Sequence, residues 1–466
     1  MTKPITFGNG ETVLVIGLGR TGMACVQVLR ERGARVFAID EKPAGQLTEQ
    51  RAQVERLGAS VIAPDALAEI LPTVESAVLS PGVPMDGSLV RSVKAAGVAV
   101  LAEIEIAYRL CAAPIIAVTG TKGKSTTTAL VGHLLRACGK TVYVGGNIGN
   151  PLIGEVGKAG RGDWVVAEVS SFQLESIQRF RPRVAVVLNV SADHLDRYVS
   201  LADYAAAKFR IFANQTPADW FIGNLADPRL EPLHRRHSQS PIRAQQRWFT
   251  VAADHAGAAM FLRDGALMYD PGGSSAAAAV LRADQIPLAG AHNVENVMAA
   301  ILAAASVGLD PRALAQAVRS FRPMAHRLET VENIDGVIYV DDSKATNPDA
   351  VIAALRAYDS PIHLIAGGRS KGTDFAALGR TIDERAKTLI VIGEAADELA
   401  SCVERAKTVH AATIEEAVRA ARSFAEPGDI VLLSPGCASF DMFSSAEDRG
   451  EKFAAAARTL REVAGA

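Results

Sequence analysis

Short apolar runs, each cut off by a glycine turn or a polar cluster, recur along this chain and alternate with segments of helical period. Thr12 to Ile16 (TVLVI), Ile115 to Val118 (IIAV), Trp164 to Val169 (WVVAEV), Val184 to Val190 (VAVVLNV), Val337 to Val340 (VIYV), His363 to Ala366 (HLIA) and Ile430 to Leu433 (IVLL) read as buried strands. Runs this continuous suit a sheet covered on both faces. Helical stretches intervene at Met23 to Arg32, from Lys124 onward, and in the Ala-rich segment after Asn293. The repeated strand, turn and helix predict an α/β class built on parallel sheets. The polar turns that follow strands should then gather on one edge of each sheet, where open α/β sheets bind ligands.

With 466 residues, 49% of them apolar, the chain can bury more than one core. The pattern breaks by about Glu103 and again at Pro323 to Glu329, which looks like a hinge. Three α/β domains are expected: a Rossmann-like one at 1–105, a central parallel sheet of the P-loop ATPase type at 106–322, and a second Rossmann-like one at 323–466. Residues 224–285 add no clear element, and His234 and His237 lack metal-ligand context. A net charge of −2 with dispersed Lys and Arg offers nucleic acid no footprint. No apolar run approaches the roughly 18 residues of a membrane span, and Met1 to Gly10 has no signal-peptide pattern. Five cysteines without paired spacing fit reduced thiols, so a cytoplasmic protein is expected.

Candidate chemistry centres on Pro114 to Leu130, PIIAVTGTKGKSTTTAL. Gly120 and Gly123 permit a tight turn whose N–H groups face one point. Those amides, the positive end of the helix starting near Lys124 and the Lys124 ammonium together suit a polyphosphate. The candidate nucleotide residues are Gly120, Thr121, Lys122, Gly123, Lys124, Ser125 and Thr126, with Ser125 or Thr126 able to offer a hydroxyl to Mg²⁺. The loop is the shorter G-T-x-G-K-S-T form, since the longer pattern would place a glycine at Val118. The plain alternative is a Gly/Thr turn that merely joins strand to helix.

A second glycine loop lies upstream. Gly17-Leu18-Gly19-Arg20-Thr21-Gly22 matches G-x-G-x-x-G, and Asp40 ends the next strand where a dinucleotide fold places its ribose-binding acid. Alone this suggests an NAD-dependent oxidoreductase. The fingerprint, however, certifies only a turn and a helix N-terminus that can hold a diphosphate, and the unit ends early after the turn Ser80-Pro81-Gly82. It reads as half a Rossmann domain, a platform for one diphosphate ligand.

Polar groups close the later strands. Asn147 lies in Gly145-Gly146-Asn147-Ile148-Gly149-Asn150-Pro151, and Glu168 sits within an apolar strand where a buried acid needs a partner such as Mg²⁺. His194 follows a strand end, flanked by Asp193 and Asp196 that could orient its ring. Lys208 reads by default as a solvated helix lysine. Asn293 and Asn296 fall one turn apart on a helix and could read an adenine edge, or Asn293 could simply cap it. Downstream, Arg327 is available to a phosphate, and three strand-end loops carry Asp342, Lys344 and Thr346, then Lys371, then Ser439 and Phe440. Lys344 and Lys371 with the Thr346 and Ser439 hydroxyls suggest a cationic pocket for a small anion.

In order, the chain carries GLGRTG, GTKGKST, GGNIGNP, EVSSFQLE, ADHLDRY, GAHNVEN, MAHRLE, DDSKATN and LSPGCASFD, and over essentially its whole length it resembles the Mur ligase family. The resemblance implies an ATP-dependent amide ligase acting on UDP-N-acetylmuramoyl-L-alanine and D-glutamate through an acyl phosphate, in peptidoglycan precursor synthesis, as a monomer. It assigns Lys124 to the ATP phosphates, Ser125 and Glu168 to one Mg²⁺, and His194 to a second beside a carbamylated Lys208. It assigns Asn293, Asn296, Arg327, Asp342 and Lys344 to ATP. Asn147 falls to substrate, Thr346, Lys371, Ser439 and Phe440 to D-glutamate, and Gly19, Arg20, Thr21, Asp40, Ser80, Pro81 and Gly82 to UDP. Two residues depart from the family's habit: Lys122 replaces a common Asn, and Ala446 a frequent Phe. An oxidoreductase would leave Lys124, Glu168 and the last domain idle, and a mere nucleotide-binding module would leave Lys344, Lys371 and Ser439 idle.

Overall fold

The computed structural model describes residues 6–8, 10–191, 193, 197–235, 241–252, 257–270, 272, 277–288, 290–322, 325–370 and 374–464. The chain forms two compact units, one of residues up to Gln285 with Val294–Ser320, the other of Ile286–Asn293 with the chain from Phe321.

The first unit contains two sheets. One is five-stranded and parallel, with β1 (Thr12–Ile16), β2 (Arg35–Ile39), β3 (Ser60–Val61), β4 (Ser76–Leu79) and β5 (Ala99–Ala102) in the order β3-β2-β1-β4-β5. The chain reverses direction across this sheet between β1 and β4, so a crevice opens at their carboxyl ends. The loop after β1 is compact because Gly17 has φ +91° and a Cβ on Gly22 would lie 1.8 Å from the Gly17 carbonyl oxygen. Ser80, just past β4, donates its hydroxyl to that same oxygen at 3.0 Å.

The other sheet has nine strands: β6 (Ile115–Thr119), β7 (Val142–Gly146), β8 (Trp164–Glu168), β9 (Val184–Val187), β10 (Trp220–Asn224), β11 (Gln245–Thr250), β12 (Met260–Arg263), β13 (Ala266–Tyr269) and β14 (Ala278–Arg282). Their order is β14-β13-β12-β11-β10-β9-β6-β8-β7. The sheet is parallel from β7 to β12, as expected, and ends in antiparallel β13 and β14, so residues 224–285, which showed no clear element in the sequence, supply β11 to β14. Asp264 at φ 49° and Gly265 at φ 72° supply the two-residue turn that reverses the chain there.

The helix Glu103–Leu110 joins the two sheets. One apolar cluster runs from Val13 and Val15 through Ile104, Ile106 and Ala107 of this helix to Ala117 and Val165. Glu105, fully buried beneath it, accepts backbone N–H groups from Gln178, Arg179 and Phe180 at 2.8 to 2.9 Å and pairs with Arg109 at 2.7 Å.

The second unit holds six strands, β15 (Glu329–Ile334), β16 (Val337–Asp341), β17 (Ile362–Gly367), β18 (Ala386–Ile392), β19 (Lys407–His410) and β20 (Ile430–Gly436), in the order β15-β16-β20-β17-β18-β19. All are parallel except β15. Alternate strand residues feed two cores: Leu364, Leu389 and Leu432 pack with Val351 and Leu378 on one face, and Ile365, Ile390 and Val431 with Val418 and Phe453 on the other. The loops after β16, β17 and β20 therefore share one edge, as expected. Among the described residues, no helix is long and apolar enough to cross a membrane.

Candidate functional site

Gly19, Arg20, Thr21, Asp40, Ser80, Pro81, Gly82 and Asn147 all line one cavity of about 530 Å³ in the first unit. Gly146, Gln173 and Lys42 are among the further residues that line it and were given no role from the sequence. Asp40 does more there than offer an acid to a ligand: its Oδ2 accepts the Leu18 N–H at 2.7 Å, tying the end of β2 to the glycine loop.

Asn147 belongs to two sites at once. Its Nδ2 donates to Glu168 Oε1 at 2.8 Å, at the end of β8. The other oxygen of this 2%-exposed acid, Oε2, has no hydrogen-bond partner among the described residues. A buried carboxylate oxygen left without a donor is the chemistry a hard cation requires. β8 lies directly beside β6, so Glu168 and the phosphate loop emerge on the same edge of the sheet.

The phosphate loop is strung between charges. Lys124 donates Nζ to the carbonyl oxygens of Gly120 at 2.9 Å and Thr121 at 2.7 Å, and Lys208 Nζ donates to the same Gly120 oxygen at 2.8 Å. Lys208 lies in the helix Leu201–Phe209 and is 1% exposed, which corrects its default reading as a solvated lysine. Burial and then the Lys124 charge lower its pKa to about 7, against the pull of Asp193 and Glu168. Near neutral pH it is thus shared between ammonium and neutral amine, and the amine form can act as a nucleophile.

Two loop amides are committed to a neighbouring side chain. Thr121 and Lys122 donate their N–H groups to Asn189 Oδ1 at 3.0 and 2.8 Å, and Asn189 Nδ2 donates back to the Lys122 carbonyl at 3.2 Å. Asn189 follows β9, the other neighbour of β6, and so reaches the turn from the side. The anion-binding capacity rests instead on the start of the helix Lys124–Ala137, whose first turn carries Ser125 and Thr126. Asn296 is buried against this turn, accepting the Thr127 hydroxyl at 3.2 Å. Gly123 has φ +81°, and a Cβ there would lie 2.2 Å from Asn296 Oδ1. Gly123→Ala is therefore expected to cost about 1–3 kcal/mol of stability and to weaken the binding of a nucleoside triphosphate at this turn. Urea melts and calorimetric nucleotide titrations check this, and unchanged values of both would contradict the packing.

In the second unit, Asn293 lies inside the helix Ala291–Ala305 and does not cap it. Asp342 is buried, and burial pushes its pKa up to about 7 despite the Ser434 hydroxyl, the Leu328 amide and the Arg327 charge. Lys344 is paired with Glu447 at 2.5 Å, holding that acid down to about 2, so the expected cationic pocket is partly neutralised. Ser439 is 2% exposed, Phe440 is 66% exposed, and Thr346 is half-buried. Arg449, fully buried, was missed: it donates to the Ser343 hydroxyl and carbonyl, both at 2.9 Å, and to the Cys437 carbonyl at 3.2 Å, binding the loops after β16 and β20 together. Its position in an otherwise amphipathic helix gave no signal. His194, Asp196, Pro323, Met324 and Lys371 lie outside the described residues.

Three family models match the chain: the Mur ligase MurD-like N-terminal domain over residues 11–102, the Mur ligase middle domain over 118–304, and the Mur ligase glutamate ligase domain over 326–437. A protein named UDP-N-acetylmuramoylalanine--D-glutamate ligase from Pelotomaculum thermopropionicum is 43% identical over 456 residues, covering 95% of this chain and 96% of that protein. One of the same name from Geotalea daltonii is 42% identical, covering 97% and 98%. Among solved structures, UDP-N-acetylmuramate-alanine ligase MurC from Thermotoga maritima aligns with a TM-score of 0.59 at 18% identity over 96% of this chain and 99% of that one. MurF from Acinetobacter baumannii aligns with the same score and identity over 97% and 92%. At such identities the structural likeness is one of fold.

Proposed function

The chain belongs to the Mur ligase family, and from that premise we infer that it is an ATP-dependent ligase adding D-glutamate to UDP-N-acetylmuramoyl-L-alanine in peptidoglycan precursor synthesis. The observation that carries the reading to particular residues is the double attachment of Asn147. It lines the cavity that starts at the first glycine loop, and it holds Glu168 beside the phosphate loop. A long substrate anchored by its diphosphate at Gly19, Arg20, Thr21, Asp40 and Ser80 to Gly82 would present its far carboxylate at Asn147.

The chemistry then divides among this chain's own groups. The precursor carboxylate oxygen attacks the γ-phosphorus of ATP, the bond to the β-bridging oxygen breaks, and ADP leaves an acyl phosphate. The D-glutamate amine attacks the acyl carbon and loses a proton, and phosphate departs with cleavage of the C–O bond to give the amide. Lys124 neutralises the transferring phosphoryl group, while the helix that it opens orients the phosphates. Ser125 and Glu168 would hold one Mg²⁺ and His194 and Lys208 a second, and the metal would supply charge neutralisation on the phosphate oxygens. Lys208, held near neutrality, is suited to add CO₂ at Nζ with loss of a proton, turning a buried amine into a carbamate anion.

In the second unit we assign Thr346, Lys371, Ser439 and Phe440 to D-glutamate, and Asn293, Arg327, Asp342 and Lys344, with Asn296 of the first, to the nucleotide. The domain limits 1–105, 106–322 and 323–466, a monomeric state and a cytoplasmic site of action complete the proposal.

The test is phosphate release from ATP with UDP-N-acetylmuramoyl-L-alanine and Mg²⁺, comparing D-glutamate with L-glutamate, L-alanine, meso-diaminopimelate and no amine. Release with D-glutamate alone is expected. Release with a different amino acid would move the specificity elsewhere in the family, and silence with all of them would overturn the reaction.

A further inference from the structure

The helix that joins the two sheets of the first unit carries a carboxyl group that this reaction does not use. Glu103 opens the helix directly after β5 and is 1% exposed. Its Oε1 accepts the Ile153 N–H at 2.6 Å. The Gln173 side-chain amide and the Leu152 N–H also face the carboxyl and favour its charge, without outweighing burial, which pushes it up to about 7. Oε2 has no hydrogen-bond partner among the described residues. An acid here costs stability that a neutral residue of similar volume would not.

Both segments that Glu103 meets lead into the cavity. Leu152 and Ile153 begin the short helix that follows the turn carrying Gly146 and Asn147, and Gln173 lines the cavity itself. Gln173 Oε1 is committed, accepting the Ser170 N–H at 2.9 Å, which leaves its amide nitrogen to face Glu103. Other titratable groups in these elements are engaged: Glu155 with Asn150 and Lys158, and Glu105 with the backbone of 178–180. Cys25, on the helix Arg20–Glu31, faces the carboxyl as a thiol raised by burial and by Glu103 itself.

We propose that Glu103 is a positioning residue for the UDP-linked precursor, bracing Gln173 and the turn bearing Asn147 from the last strand of the first sheet so that both face the first glycine loop. The proposal rests on the assignment of this cavity to the precursor. Glu103→Gln keeps the shape and the acceptor for Ile153 but removes the negative charge that the Gln173 amide and the Leu152 N–H face, and with it the hold on Gln173.

The experiment measures the KM of each substrate for the full chain, Glu103→Gln and Glu103→Asp from about pH 6 to about pH 8, with calorimetric titration of UDP-N-acetylmuramoyl-L-alanine in the absence of ATP. In Glu103→Gln the precursor KM and Kd are expected to rise roughly tenfold while kcat and the KM values for ATP and D-glutamate hold. For the unaltered chain the precursor KM should fall as pH rises through about 7 and the carboxylate forms, a response that Glu103→Gln loses and Glu103→Asp keeps. An unchanged precursor KM and Kd in Glu103→Gln, or an equal rise in all three KM values with a lower melting temperature, would overturn the proposal. If the unaltered chain binds precursor but releases no phosphate, the reaction fails, and the Kd ratio still decides the place of Glu103. If it binds no precursor, the cavity assignment and the proposal fall together.

Discussion

Lys124→Ala is expected to lower D-glutamate-dependent phosphate release by roughly a thousandfold or more. The ammonium is held at the turn by the Gly120 and Thr121 carbonyls, poised where phosphoryl charge would develop. Its loss removes the positive charge and leaves the Thr121 carbonyl oxygen turned toward an anion. Gly120 keeps its bond from Lys208, so the loop itself should persist. Precursor binding at the first glycine loop should be unaffected, and calorimetry with UDP-N-acetylmuramoyl-L-alanine separates the two effects. Turnover within a few-fold of normal would discard the phosphate-loop assignment.

Lys208→Ala is expected to reduce the rate by roughly a hundredfold or more, with partial recovery in formate or acetate, since a short carboxylate can occupy the emptied volume with the charge that a carbamate would bring. Enzyme freed of CO₂ should regain activity on adding bicarbonate more slowly as pH falls below about 7, where Lys208 is an ammonium and cannot attack carbon. Stability follows pH in the same sense. The folded pKa lies below the ordinary lysine value of 10.5, so the unfolded chain binds the extra proton. The cost to the fold is complete below about 7 and fades as pH rises toward 10.5. Lys208→Met should therefore melt no lower than the unaltered chain at pH 7 while remaining inactive, whereas full activity without added carboxylate would remove the carbamate from the reading.

What the sequence disclosed is what chain-local chemistry controls. An apolar run, a glycine that must turn and a helix start are written within about twenty residues, so the turns after β1, β6, β16 and β20 were legible, and so was the shared edge of the second unit's loops. Lys208 was not, because its side chain is received by Gly120, distant in the sequence, although Tyr204 one turn earlier on its own helix also covers it. Asn189 and Gln173 are single polar residues past a strand, a pattern repeated many times in this chain without consequence. The β12–β13 hairpin was missed despite a readable signal, the Asp264-Gly265 pair, and Asp335-Gly336, at φ 51° and 81°, marks the β15–β16 turn in the same way. Both were hidden by strands too short or too irregular to show alternation, as at Glu329–Ile334, where the register slips. Glu168 was legible as an acid in the wrong company; Asn147 meets one of its oxygens, and the other has no hydrogen-bond partner among the described residues.

The Asn189 clamp bears on how tightly a nucleotide can be held. Because its carboxamide fastens the turn by both donor and acceptor, much of the conformational freedom that a glycine-rich loop would surrender on meeting triphosphate has already been lost during folding. Binding then resembles entry into a rigid mould, with little ordering to oppose it. Asn189→Ala should accordingly shift ATP binding toward a larger entropic penalty, visible by calorimetry as a change in the balance of heat and entropy even where the affinity itself moves only modestly.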